Sequence, residues 1–420
     1  MRAMIKLALP LIALAMAMSC AKSREKTITW AVGKDPAGRH QAMIEEFQRL
    51  HPGVKVKLLE MPESSTSQHD AYVTYLAAGD KSIDVYSIDI IWPAEFAQAG
   101  WLLPLNDALA SPEREDFLPG PLAGCTFRDT LWAIPWFTDA GMLYYRADIL
   151  GKNHLKVPDT WEDLLKQASF LSKKYEMAGY VWQGQQYEGL VCNFLEILWS
   201  CGGELFGDNG QPLLTSKEAL KATGIVKEMF NIKASPLGVL TYKEEESRQL
   251  FTSGQAVFMR NWPYAWAISQ DTAKGSAVAG KVGMAPLPAC LGETSSSCLG
   301  GWNLAVSRFS RNPELAKELL LFLTSYDSQK DFALKGGRLP TRISVYQDPD
   351  VLKLNPHYKD FYNSFITARP RPVRPDYPRI SDFLQIGLHR IFTGQVPEDK
   401  GLLSLQEELE KSVVKECYQE

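Results

Sequence analysis

Hydrophobic and polar positions alternate along this chain in repeated strand and helix units. Residues 27–32 predict a first strand, after which Met43, Ile44, Phe47 and Leu50 recur at helical spacing until His51, Pro52 and Gly53 stop the helix. Residues 54–59 alternate like a second strand, so the chain opens as a βαβ unit. Tyr72, Tyr75 and Leu76 mark a helix ending near Gly79, and residues 83–91 form an apolar run broken by Asp84 and Asp89. That density fits a strand covered on both faces, as in parallel sheets. Residues 131–148 read as a strand, a short crossing at Phe137-Thr138-Asp139-Ala140-Gly141, and a second strand. An acidic, loop-rich passage precedes them, up to Gly124. Asp159 and Thr160 offer N-cap chemistry to the helix that follows. Further helices are predicted over 190–201, 216–231, 313–326 and from Ile380 onward, with strands at 254–259 and near 282–288.

Candidate chemistry gathers at the ends of these elements. Asp89 lies near the carboxyl end of its strand, where open α/β sheets bind ligands, so Asp89 and Trp92 are site candidates while Asp84 is expected to bond locally. The alternative for Asp89 is a turn carboxylate. A crossing that carries Trp136, Phe137 and Asp139 between two folded bodies would put aromatic faces and a carboxylate into an interdomain cleft. Trp262, Tyr264 and Trp266 crowd a loop containing Pro263, and their flat faces and polar edges suit a sugar's C–H face and hydroxyl rim, although Trp266 could be core. Paired Gly300 and Gly301 allow close backbone approach beside Trp302.

Charge and export narrow the function classes. A net charge of -4 and no Lys/Arg block argue against nucleic acid as partner. Arg2 and Lys6 precede the apolar residues 7–18, and Ala17-Met18-Ser19-Cys20 closes a signal-peptide pattern. The six cysteines beyond Cys20 allow fifteen connectivities, and Cys290 and Cys298 bracket a loop that a local disulfide could close. The six histidines lack ligand spacing and no CxxC occurs, so neither a metal nor another cofactor is expected.

Ser87-Ile88-Asp89-Ile90-Ile91-Trp92, Phe137-Thr138-Asp139-Ala140-Gly141, the run from Val181 to Cys192, Arg260-Asn261-Trp262-Pro263-Tyr264-Ala265-Trp266 and Gly300-Gly301-Trp302 together resemble the extracellular solute-binding proteins of ABC sugar importers, nearest in kind to those for trehalose and maltose. The resemblance implies an α/β, two-lobed periplasmic-binding-protein fold with hinge crossings, closing on a disaccharide that is passed to the transmembrane subunits of an ABC permease. Its implied organisation is a signal peptide over 1–19, a lipidated tether over 20–26, lobe I from 27–136 and 302–338, and lobe II from 139–298 and 343–420. Small residues before Cys20 resemble a lipobox, implying a lipid-anchored monomer facing the periplasm or extracytoplasmic space. By position, Asp89 and Asp139 would accept hydroxyl hydrogen bonds, Trp262, Tyr264 and Trp302 would wall the sugar, Gly301 would offer backbone and Arg342 would donate. Phe137 stands where a Tyr can occur, Gln68-His69 where an Arg is found, making His69 a candidate, and Arg338 where an aromatic is found; no acidic ligand is evident between Gly33 and Arg39. The rival class is a glycoside hydrolase using Asp89 and Asp139 as a carboxylate pair.

Overall fold

The structure, a computed structural model, describes residues 25–413 apart from 36–37, 110, 337, 360–361, 363 and 365–366. The signal peptide, Cys20 and Cys417 lie outside the described residues.

The βαβ opening forms β1 (Lys26–Val32), the helix His40–Leu50 and β2 (Val54–Glu60), with β1 and β2 parallel in register from Lys26 opposite Val54. The helix Ser65–Ala77 leads to β3 (Val85–Asp89), which lies parallel to the other side of β1 and is buried throughout. The loop-rich passage contains two short helices, Ser111–Glu115 and Pro119–Gly124, that its composition did not announce. A hairpin, β4 (Thr126–Phe127) and β5 (Thr130–Leu131), precedes β6 (Ile134–Ala140) and β7 (Met142–Arg146). The remaining strands are β8 (Ala178–Val181), β9 (Ala256–Asn261), β10 (Val282–Ala285), β11 (Leu299–Val306) and β12 (Leu339–Pro340).

These strands make two principal sheets, ordered β12-β6-β11-β3-β1-β2 and β10-β7-β9-β8. Each sheet carries its own core. Trp30, Phe47, Tyr72, Phe96 and Leu320 belong to the first, and Tyr144, Leu164, Leu195, Phe258 and Leu384 to the second. The molecule is thus two-lobed, and the chain crosses between the lobes within single residues. β6 lies in the larger sheet and β7 in the smaller, with Gly141 alone between them. Cys298 packs into the core of the smaller sheet while the next residue, Leu299, opens β11 in the larger.

The first crossing is tighter than the sequence pattern suggested. Residues 137–140 stay in the strand because β11 pairs with them, Leu299 opposite Ala140 and Gly301 opposite Thr138, so ladder hydrogen bonds hold them extended. Thr160 caps the helix Trp161–Tyr175 as expected, its hydroxyl accepting from the Asp163 amide at 3.1 Å. Asp84 also bonds locally, accepting from the Thr29 amide at 2.8 Å and from the Ser310 hydroxyl. The disulfide differs from the local loop closure. Cys290 pairs with Cys201, 89 positions away and 4.8 Å between Cα atoms, because the Cys290 amide is already bonded to the Ser200 carbonyl at the end of the helix Glu188–Trp199. Among the described residues no helix is long and apolar enough to cross a membrane.

Gly141 owes its identity to packing. A Cβ there would stand 1.9 Å from Glu196 Oε1 and 2.7 Å from Arg260 Nη2, two side chains that form a buried ion pair under the crossing. Gly141→Ala should therefore destabilise the protein by about 1–3 kcal/mol through overpacking. Gly151→Ala, on the helix Ala147–Lys152 with nothing within 4 Å of its Cβ, should stabilise by about 0.5–1 kcal/mol. Urea denaturation of both variants checks this, and equal midpoints would contradict the packing argument.

Candidate functional site

Between the two sheets lies a cavity of about 640 Å³, within the range that small-molecule ligands occupy. The larger sheet contributes the ends of β3, β6 and β11, and the smaller contributes the loop after β9 and the start of the helix Glu188–Trp199. Strand register explains why distant residues meet here. Trp302 lies opposite Asp89 on one side of β11 and opposite Phe137 on the other. Gly301 at φ +130° brings its backbone against Phe137, and a Cβ there would stand 2.5 Å from the Phe137 carbonyl oxygen. A Cβ on Gly300 would stand 3.0 Å from the Trp262 ring.

Aromatic faces are held from behind by polar groups. Arg260 lies with its guanidinium 3.9 Å from the Trp262 ring centre while Nε donates to Glu196 Oε2 at 2.8 Å and Nη1 to Gln183 at 3.1 Å. The Trp262 indole donates to Glu244 at 3.2 Å, and the Tyr264 hydroxyl donates to Glu245 at 2.7 Å. Trp302 meets Trp92 edge-on at 5.5 Å. Arg338 lies 4.3 Å from the Phe137 ring and 5.5 Å from the Tyr264 ring, so one cation touches an aromatic from each side of the cleft.

Carboxylates complete the walls. Arg371, from a Pro/Arg-rich stretch at residues 369–378, donates through Nη2 to Asp89 at 3.2 Å and through Nη1 to Glu188 at 2.7 Å. Glu188 also accepts from the Tyr377 hydroxyl at 2.8 Å and from Ser381. Burial pushes Asp89 above the usual carboxylate range, with Arg371 opposing the shift. Asp139 is pushed up to about 7 by burial, against the pull of Arg338 and Arg260. Its Oδ1 has no hydrogen-bond partner, and neither have the Gln68 Oε1 and Ser87 hydroxyl that also line the cavity. Buried polar atoms are normally paired, so three unpaired ones on residues that line one cavity leave hydrogen-bonding capacity in its wall that protein groups do not use. Burial lowers His40 to about 4 and keeps its ring neutral at physiological pH.

Of the residues singled out from sequence, Asp89, Phe137, Asp139, Trp262, Tyr264, Gly301 and Trp302 line this cavity. His69, Arg342, Trp92 and Trp266 do not. His69 bonds Glu95 at 2.6 Å and stacks on Phe96, whereas its neighbour Gln68 faces the cavity from the buried stripe it shares with Tyr72 and Leu76. Consecutive helical residues point about 100° apart, so the pair could not serve one site together. Arg342 is turned away, donating to the Thr324 carbonyl at 2.8 Å and to Asp116 at 3.0 Å over the Phe117 ring. Asp35, in the first loop, lines the cavity and accepts from the His40 amide at 2.6 Å, so that loop does supply a carboxylate. Glu244 and Arg371 also line the cavity without a sequence signal, and Glu188 does so from within the run 181–192, where the sequence assigns it no role of its own. The stripe through Gln68 was a usable signal; the pairing of Glu188 with Arg371, 183 positions apart, was not.

The profile of the bacterial extracellular solute-binding proteins matches residues 33–330. A relative from Deinococcus radiodurans, named a probable ABC transporter-binding protein, is 36% identical over 367 residues, 85% of this chain and 86% of its own length. The mannitol-binding protein of Pseudomonas aeruginosa is 25% identical over 415 residues, 94% of each chain. The solved structure of T. maritima MalE3 with maltose bound is 41% identical, covers 91% of this chain and 99% of that one, and superposes with a TM-score of 0.87. A two-lobed fold with its cavity between the lobes, matched over most of its length by such proteins, makes this chain a member of the bacterial extracellular solute-binding proteins, a substrate-binding protein of an ABC transporter and not an enzyme.

Proposed function

We propose that this protein captures a disaccharide, maltose, trehalose or a related glucoside, in the cleft between its lobes and delivers it to an ABC permease. The observation that carries the reading is the pairing, in one cavity, of amphipathic ring faces with unpartnered polar atoms. Trp262, Tyr264 and Trp302 offer surfaces to pyranose C–H faces, while Asp139, Gln68 and Ser87 hold hydrogen-bonding capacity that protein groups leave unused. Gly301 contributes backbone at the same wall, and Phe137, lying under Arg338, shapes the floor. The maltose held by the MalE3 relative supports the choice of a glucoside, and the mannitol-binding relative makes an acyclic polyol the competing ligand. In this reading lobe I is built on the larger sheet, whose strands extend the expected 27–136 and 302–338 to Ala140, back to Leu299 and on to Pro340, and lobe II takes the remainder of 139–298 and 343–420. Closure is driven by contacts that both lobes make to one ligand. Cys20 carries a lipid that tethers the monomer to the outer face of a bacterial membrane.

Calorimetric titration with maltose, trehalose, sucrose and mannitol is the direct check. One-to-one binding of a glucose disaccharide without turnover is expected; heat with mannitol alone, or with none of the four, would refute the assignment. Trp302→Ala should weaken every bound sugar by at least about tenfold, since each pyranose uses a ring face. The rank order of sugars should change little, and an unaltered affinity would remove Trp302 from the site.

Asp139 gives the pH dependence. Its folded value near 7 exceeds the ordinary unfolded value near 4, so its contribution to stability is full below the unfolded value and is lost as pH rises through 7. Replacing it by Asn should therefore stabilise the ligand-free protein by about 3 kcal/mol more at pH 8 than at pH 5. Thermal melts at the two pH values test this, and a pH-independent difference would mean that Asp139 ionises normally.

A further inference from the structure

We propose that Cys192 and Cys298 form a second disulfide beside Cys201–Cys290, stapling the helix Glu188–Trp199 to the crossing that opens β11. Both are buried thiols in this structure, packed in the core of the smaller sheet. The remaining free thiol among the described residues, Cys125, is buried in the core of the larger sheet and is no alternative partner.

The geometry comes from two antiparallel runs. Cys192 and Cys201 are nine residues apart along one helix and its terminal turn, and Cys290 and Cys298 are eight apart along one loop. The loop starts at the end of the helix, where the Cys290 amide donates to the Ser200 carbonyl at 2.9 Å and Cys290 is bonded to Cys201. It then runs back alongside the helix, since the Cys298 amide donates to Glu196 Oε1 at 3.2 Å, one helical turn after Cys192. The second thiol of each run therefore arrives beside its counterpart. Their proximity shows in their electrostatics, as the neighbouring Cys298 thiol, ahead of burial, pushes the Cys192 thiol well above its ordinary value.

The reaction needs only a disulfide oxidant, which fits the extracytoplasmic placement of the family on which this inference rests. During folding the thiolate of one cysteine attacks the oxidant's S–S bond, giving a mixed disulfide. The second protein thiolate then displaces the oxidant's remaining sulfur. The Cys192–Cys298 bond forms, the oxidant's S–S bond breaks, and its two sulfurs leave as thiols with the two protons and two electrons given up by the cysteines. The bond would act on the cleft, because Cys192 lines the cavity one turn after Glu188 and Cys298 directly precedes Leu299 of β11. It would fix the Glu188 end of the helix to the crossing strand without joining the two lobe faces.

Peptide mapping decides the matter. The full chain is refolded in a glutathione redox buffer, alkylated in denaturant without reduction, and digested. The expected result is two linked peptide pairs, Cys201 with Cys290 and Cys192 with Cys298, with loss of alkylation at all four positions. Alkylation of both Cys192 and Cys298 beside an intact Cys201–Cys290 bond, or pairing of Cys192 with Cys201 or of Cys290 with Cys298, would overturn the proposal. In a Cys298→Ser chain treated alike, Cys192 should gain a full equivalent of label; labelling at Cys192 unchanged from the parent would likewise contradict it.

Discussion

A single buried cation ties the two halves of this molecule together at the site. Arg371 reaches Asp89 on the larger sheet with one nitrogen and Glu188, on a helix packed into the other core, with another. Removing three charges from water is costly, and the arrangement persists only because each has partners: Glu188 accepts from Tyr377 and Ser381 as well, and Asp89 from the Ile91 amide at 3.3 Å. Loss of Arg371 would leave two carboxylates facing each other in a buried site. A second buried pair, Arg260 with Glu196, sits under the Gly141 crossing and sets the Trp262 ring at the same time. Position of the lobes and shape of the cleft thus depend on the same charged groups.

Glycine supplies the complementary constraint. Gly141 lets the chain pass over the Arg260–Glu196 pair, Gly301 lets β11 press against β6, and Gly300 lets the Trp262 ring close over the strand. Each is a place where a Cβ would meet a neighbour at 3.0 Å or less. The close approaches occur where the two sheets adjoin, and there Asp139, Gly300, Gly301 and Trp302 of those strands line the cavity while Phe137 and Leu299 also pack into the core of the larger sheet. Asp139 illustrates the result, with a carboxylate held in a dry wall, one oxygen unpartnered and its ionisation shifted to about 7. Protein groups alone do not satisfy it, which is the state expected of a surface built to be completed by a ligand.

Much of this was legible in the sequence, and the omissions have physical causes. Periodicity located β1, β2, β3 and most helices because one face of each packs on a core. The strand pair around Gly141 and the aromatic loop at Trp262 are legible because large rings fall in short runs beside a glycine in the first and a proline in the second. The family resemblance places the pair Gln68-His69 where an Arg is found and so points to His69; the helix face, read through Tyr72 and Leu76, selects Gln68. Arg342 misled because an arginine in a loop near the site can equally anchor that loop, as its bonds to Asp116 and Thr324 do. The pairings of Arg371 with Glu188 and of Cys201 with Cys290 join positions far apart in the chain, and no local pattern encodes which distant partner will be met.

Under the proposed function, two lobes hinged at the Gly141 and Cys298–Leu299 crossings clamp one sugar between them. Small-angle scattering of the protein with and without a saturating concentration of the sugar that calorimetry identifies measures this directly. The radius of gyration should fall on binding, as each lobe gains contacts to the ligand that the open form lacks. An unchanged radius, with binding confirmed calorimetrically in the same sample, would contradict it.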